Sequence, residues 1–444
     1  MRARILLAVT FLLAGVSLQA QRNLLTKVSL TLNKESGVYA KGETVQVYGA
    51  LTQPFDSVLT MTIYDGGVRH YRAIPDVPET KTVVLTEQPR VIYEGSFDEA
   101  KAIMISVAAD KSRSSMVGFI VAPEDFRPGY EMPKDFMTYW KKQKAALRKS
   151  KPEVKLTPIP LNSPDDAGYE AFSIEISMPE GNPVRGYLAK PKQAAKRSLP
   201  IAMLVHAAGV SGSWCRASLN NALRYAKKGK GVIAIDFNAH GYVEDQPQQY
   251  YVDLENGALK NYSTRPLTTR DDFYFRLMYL REVRALDYVC SLPEWDGKRA
   301  LVYGESQGGG QAEAIAGLDK RITCVVSNVP ALTDLGGVRQ KRQSGWPPYD
   351  REALTPEGEK VLAYFDGAFF LQFSKAKLFM VSGFIDETCH AACVQAAYNV
   401  AKSKDKQIHT FPYRWHSGTN KPYDKVWNET IGKAREDFIN DFLK

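Results

Sequence analysis

The chain has 444 residues, 44% of them hydrophobic and 24% charged, which is the make-up of an ordinary globular protein with room for more than one domain. Its net charge of +9 comes from scattered Lys and Arg with no basic arm or run, so nucleic acid is not an expected partner. Five cysteines do not make a dense disulfide framework, and the absence of Cys-x-x-Cys or His-x-x-x-His pairs gives no reason to expect a metal; no cofactor is expected.

Residues 1–20 have the pattern of a secretory signal: basic Met1-Arg2-Ala3-Arg4, an uncharged apolar stretch from Ile5 to Leu18, and a small residue, Ala20, at the end. The apolar run is shorter than the ~20 residues a permanent membrane helix requires, and no cysteine stands near the cleavage point to carry a lipid. A periplasmic or extracellular protein with no membrane anchor is expected, its mature chain starting near Gln21.

Residues 21–122 read as short strands: Val28–Leu32, Thr44–Tyr48, Leu59–Tyr64, Thr82–Leu85, Ala102–Val107 and Val117–Val121, with Asp65-Gly66-Gly67 as a hairpin turn. Close spacing without helical periods predicts an immunoglobulin-like β-sandwich. It holds no catalytic constellation, so a packing, positioning or carbohydrate-facing role is expected of it. Residues 122–129 read as a linker. Phe136, Tyr139 and Trp140, at i, i+3 and i+4, then open a helix with an aromatic stripe toward a core.

From about residue 155, strands and helices alternate. Ile201–Val205, Val232–Asp236, Leu301–Tyr303, Thr323–Val326 and Lys377–Val381 are continuous apolar strands, which implies a mostly parallel sheet covered on both faces. Within that region, Ala300–Tyr303 leads into Gly304-Glu305-Ser306-Gln307-Gly308-Gly309-Gly310 and then a helix-like segment. Strand, Gly-x-Ser-x-Gly and helix is the layout of a nucleophile elbow: small neighbours relieve a sharp turn that pushes Ser306 Oγ out above the sheet. With the parallel sheet, this predicts an α/β-hydrolase fold over residues 130–444.

A serine hydroxyl needs a base to take its proton and a carboxylate to orient that base. In this fold the chain order is serine, acid, histidine. Downstream of Ser306 stand His390, His409 and His416. His416, in the loop beyond the last strand, is the expected base; His409 lies inside that strand and His390 is the fallback. Asp386, at the end of the preceding strand, is the expected acid, ahead of its neighbour Glu387 and of Asp366. Two backbone N–H groups are needed for the oxyanion, each contributing on the order of 3 kcal/mol. Gln307, after the nucleophile, supplies one; Ala208, in His206-Ala207-Ala208-Gly209, supplies the other. His206 is expected to brace that loop. Cys389 and Cys393, four apart, are either bridged or buried as thiols.

The run Gly304–Gly310 resembles the elbow of the acetyl xylan esterase and cephalosporin-C deacetylase family of carbohydrate esterases. The helix-like Asp272–Ala285, the segment Leu318-Asp319-Lys320-Arg321 leading to Val329-Pro330, and Gly383 to Cys389 are also similar to that family. The resemblance spans about residues 130–444. It implies Ser306 as nucleophile, Asp386 as acid, His416 as base, and Ala208 and Gln307 as oxyanion donors. It also implies a metal-free enzyme that removes acetyl groups from acetylated xylo-oligosaccharides. The alternative is a serine hydrolase of the same fold acting on other esters or on peptides. The chain departs from the family's pattern at Phe237-Asn238-Ala239-His240-Gly241 (usually Arg-Gly-Gln-Gly), at Ala208 (commonly Tyr), and at Cys389-His390-Ala391 (usually Pro-Pro after the acid). The family's ring-like hexamer leaves a homo-oligomer open, set against an extra β-rich region that could block its contacts.

Overall fold

The structure, a computed structural model, describes residues 28–53, 58–67, 78–108, 114–265, 267–349 and 354–444. The expected signal segment and its cleavage point lie outside the described residues.

The N-terminal part is β-rich. β1 (Val28–Leu32), β3 (Val45–Leu51) and β6 (Arg90–Gly95) form one sheet. β2 (Val38–Tyr39), β8 (Ser114–Val121), β7 (Lys101–Ala108), β4 (Leu59–Asp65) and β5 (Glu79–Val83) form another, in that order. Alternation drives both. Val28 and Leu30, Val45 and Val47, and Leu59, Met61 and Ile63 all point into one core that also takes Ile103, Ile105, Val117 and Phe119. The strands β2 and β6 were not legible in the sequence pattern. β6 alternates without a buried face, and β2 is two residues long.

A helix, α1 (Phe136–Lys149), follows, and it buries Phe136, Tyr139 and Trp140 as the aromatic spacing requires. The Trp140 indole N–H donates to the Tyr364 carbonyl at 2.9 Å, so the largest core side chain has its one polar atom satisfied.

Beyond it lies a mixed sheet of nine strands. β9 (Val154–Ile159), β10 (Tyr169–Ile176) and β11 (Val184–Pro191) form an antiparallel meander, and β11 pairs antiparallel with β13 (Ile233–Phe237). The alternation of strands and helices therefore begins later than residue 155, because no α-helix stands between the strands of the meander. From β12 (Leu199–Val205) onward, through β14 (Trp295–Glu305), β15 (Cys324–Asn328), β16 (Lys377–Gly383) and β17 (Lys406–Phe411), neighbours are parallel. The apolar runs of β12 to β16 are buried on both faces by helices, including α2 (Leu219–Ala226), α3 (Tyr274–Val289), α4 (Gln307–Leu318), α5 (Ala391–Val400) and α6 (Lys433–Leu443), while the edge strand β17 is only half-buried. The order β12–β14–β15 puts α4 at a central position, with the carboxyl ends of the parallel strands opening on one edge of the sheet.

The two regions are packed together. Met104 of β7 and Met116 of β8 share a cluster with Ile385 and Trp415. Gly118 N–H donates to the Pro412 carbonyl at 3.0 Å, and a Cβ at Gly118 would overlap the Phe384 backbone. Residues 122–129 are also tied down: Gly129 N–H donates to Asp334 Oδ1 at 2.7 Å.

Candidate active site

The chain turns sharply from β14 into α4 at Ser306. Ser306 has φ 57° and ψ −120°, a backbone conformation that costs of order 1–3 kcal/mol for a non-glycine residue. Three hydrogen bonds hold it there: Ser306 N–H to Asn328 O (2.9 Å), and Gly310 and Ala331 N–H to Ser306 O (3.2 and 2.9 Å). Gly304 and Gly308 face each other across the turn. A Cβ on Gly304 would overlap the Gly308 carbonyl, and one on Gly308 would press on the Val205 carbonyl. The spacing of glycine around serine is therefore a steric requirement of this turn.

Two other strand ends bring side chains to Ser306. After β16 the chain turns at Asp386, whose Oδ1 accepts from the N–H groups of Thr388 and Cys389, both at 2.8 Å. After β17 it delivers His416. His416 Nδ1 lies 2.9 Å from Asp386 Oδ2, and its Nε2 lies 2.9 Å from Ser306 Oγ. With the proton on Nδ1, the imidazole donates to the carboxylate and accepts from the serine hydroxyl. Asp386 is fully buried, Ser306 is 4% exposed and the His416 side chain 21%, so the serine opens to solvent through a narrow approach. Burial pulls the His416 pKa down, but the charge of Asp386 and its hydrogen bond, with help from Glu305, carry it above the ordinary histidine value.

The rival residues go elsewhere. His409 stacks on Phe379 with ring centroids 4.4 Å apart. His390 precedes α5, fully buried, and burial pushes its pKa down to about 4. Asp366 accepts from the N–H groups of Asp334, Leu335 and Ala368 and so fixes a loop. Glu387 offers its backbone carbonyl to the Gln343 amide at 2.8 Å. Cys389 and Cys393 are buried free thiols.

The loop after β12 carries Ala208 beside the start of α4. Among the described residues no intramolecular acceptor takes the N–H of Ala208 or of Gln307. His206 pairs with Asp236, which also accepts from Asn221 at 2.8 Å. Burial opposes protonation of His206; the Asp236 charge and hydrogen bond outweigh it and raise its pKa.

One arrangement had no sequence signal. Tyr262 Oη accepts from Gly209 N–H at 3.2 Å and donates to Gln307 Oε1 at 2.7 Å. His240 Nε2 donates to the Gly209 carbonyl at 2.9 Å, while its Nδ1 accepts from Tyr274 Oη at 2.7 Å. Burial pushes the His240 pKa down to about 4, so it stays neutral at physiological pH. From Gln307 the chain of contacts runs to Gln311 and on to buried Glu282. The loop holding Ala208 and the helix starting at Gln307 are thereby joined. The run 237–241 stood out in the sequence only as a departure, and nothing in the pattern distinguished Tyr262 from the other tyrosines.

Among the described residues, no group of three or more His, Cys, Asp or Glu side chains is placed to hold a metal ion, and no helix is long and apolar enough to cross a membrane.

A serine on a strained elbow at the carboxyl edge of a parallel sheet is shared by many enzymes, and comparison with known proteins narrows the choice. A model of the acetyl xylan esterase (AXE1) family matches residues 123–429. The chain belongs to the acetyl xylan esterase family. As such it is an enzyme, a carbohydrate acetyl esterase. The family match starts just past the end of β8. Acetyl esterase Axe7A of Xylanibacter ruminicola is 28% identical over 372 residues, covering 80% of this chain and 81% of that protein. The solved acetyl xylan esterase from Paenibacillus sp. R4 is 26% identical, with a TM-score of 0.57 over 71% of this chain and 98% of its own. Acetyl xylan esterase 1 from Thermoanaerobacterium sp. JW/SL YS485 shares the fold at 23% identity, TM-score 0.56, over 72% of this chain and 98% of its own. An acetyl xylan esterase fold thus fills both solved proteins, whereas this chain extends beyond it.

Proposed function

We propose that this family member is an exported serine esterase that removes acetyl groups from acetylated xylo-oligosaccharides by way of an acyl-enzyme. The observation that carries the reading is the unbroken line from Asp386 through His416 to Ser306, 2.9 Å at each step, on an elbow serine. His416 Nε2 takes the hydroxyl proton as Ser306 Oγ attacks the acetyl carbonyl. Asp386 holds the imidazole in the needed tautomer and stabilises the imidazolium. The oxyanion that forms is received by the N–H groups of Ala208 and Gln307. Collapse expels the sugar oxygen, which takes the proton back from His416. Water then attacks the acetyl-serine with His416 again as base, and acetate leaves. The chemistry needs no group beyond these residues.

Export rests on the N-terminal basic-apolar-small pattern. The β-rich region, read as an immunoglobulin-like sandwich over residues 21–122, acts as a packing and positioning module ahead of the hydrolase region at 130–444. A homo-oligomer stays open, set against a β-rich region that could block the contacts of the family's ring.

The test is acetate release from acetylated xylo-oligosaccharides, alongside p-nitrophenyl acetate and butyrate, by wild type and Ser306→Ala. Acetate release lost in the variant, with acetyl preferred over butyryl, is the expected result. Equal turnover by the two proteins would refute the serine mechanism. Preference for the longer acyl chain would refute the acetyl assignment.

A further inference from the structure

Trp214 is 62% exposed, unusual for the most area-rich apolar side chain. Its placement is built rather than incidental. The indole N–H donates to the Ala208 carbonyl at 3.0 Å, so the ring is anchored to the residue proposed as an oxyanion donor. One side of the ring rests on Gly212, where a Cβ would overlap the six-membered ring, and Gly209 lies close to the indole nitrogen. The loop beneath is pinned in turn: Gln248 Nε2 donates to Ser211 O at 2.9 Å and Ser211 Oγ to Glu255 Oε2 at 2.5 Å. The result is a flat aromatic surface, backed by glycine and open to solvent, on the loop that borders Ser306.

We propose that Trp214 is a sugar-binding platform, on which a pyranose ring of the acetylated oligosaccharide stacks while its acetyl group reaches Ser306. A pyranose has a face made of C–H groups, and an indole is the aromatic surface with the most apolar area to cover it. A rigid ring takes up such a face with little ordering cost. The acetyl group is small and offers few contacts, so recognition of the sugar has to come from the rim, and Trp214 is the large apolar side chain that the Ala208 loop presents there. This inference rests on the acetylated-sugar reading above.

The experiment compares Trp214→Phe with Trp214→Ala on acetylated xylotetraose and on ethyl acetate, followed by pH-stat, with melting temperatures as a check on folding. Both variants lose the N–H bond to Ala208, so both should slow ethyl acetate by the same factor. Only Trp214→Ala also loses the platform, and its KM for the oligosaccharide should rise by about tenfold over that of Trp214→Phe. Equal KM values in the two variants would overturn the platform and leave the esterase reading standing. Turnover of ethyl acetate with no acetate released from the oligosaccharide by wild type would overturn the sugar reading, and the platform with it.

Discussion

The hydroxyl of Tyr262 lies 2.7 Å from Oε1 of Gln307 and at the same time accepts the Gly209 N–H. It bridges by hydrogen bonds the loop after β12 and the first turn of α4, the two segments from which the oxyanion donors are proposed to come. Removing it in Tyr262→Phe leaves buried polar groups without partners, a loss of about 1–3 kcal/mol in stability. The separation of Ala208 N and Gln307 N is then no longer fixed, and kcat should fall by about ten- to a hundredfold with KM little changed. Steady-state kinetics beside a thermal melt measure both. An unchanged kcat would show that the bridge is scaffolding alone.

His416 gives a pH dependence with a definite sign. Its pKa is raised in the folded protein, so the ascending limb of kcat/KM should have a midpoint above the ordinary 6.5. Asp386→Asn removes the charge responsible and leaves burial, which acts the other way. The limb should shift to lower pH, and kcat should drop by ~10⁴ through loss of the correct tautomer. In stability terms the raised pKa favours the folded state fully below the unfolded value, a contribution lost as pH rises through the folded one.

Gly308→Ala tests the steric origin of the elbow. Its Cβ would meet the Val205 carbonyl, a backbone atom of a central strand that cannot yield. The expected cost is about 3 kcal/mol or more, together with loss of esterase activity, as seen by denaturant unfolding.

The five cysteines provide a count. Burial raises the thiol pKa to about 11 for Cys215 and about 12 for Cys290, and well above the ordinary value for Cys389 and Cys393. Ellman's reagent at pH 8 should therefore react slowly with the native protein, Cys290 first because it is the one thiol that is not fully buried. After unfolding without reductant, five thiols should titrate. Three would mean that Cys389 and Cys393 are bridged.

Much of the catalytic half was readable because its signals are local. The apolar runs of β12 to β16 have no solvent face, and the glycines around Ser306 answer a clash within a few residues. Ser306, Asp386 and His416 follow β14, β16 and β17 in chain order, so their sequence order is the order of those strands. What could not be read depends on side chains that meet only after folding. Tyr262, His240 and Gly209 lie far apart in sequence, and although Gly209 and His240 stand in runs singled out there, nothing in the pattern brought them together with Tyr262. The antiparallel meander β9–β11 was hidden for another reason: its strands alternate only in part, and β9 is largely exposed, so nothing separated it from loop. Cys389 and Cys393 are one helical turn apart, and that spacing says nothing about their oxidation state.

The cluster of Met104, Met116, Ile385 and Trp415 has a practical side. Ile385 is the neighbour of Asp386, and Trp415 the neighbour of His416, so the faces of β7 and β8 that turn away from the N-terminal core form the floor under both loops. A fragment cut at residue 122, where the family match begins, would leave that floor as bare apolar surface and the loops of Asp386 and His416 unsupported. The N-terminal strands are therefore part of what has to be expressed, stored and heated together with the serine. Designs that graft or swap the front of this chain should be judged by the pKa of His416 as well as by solubility.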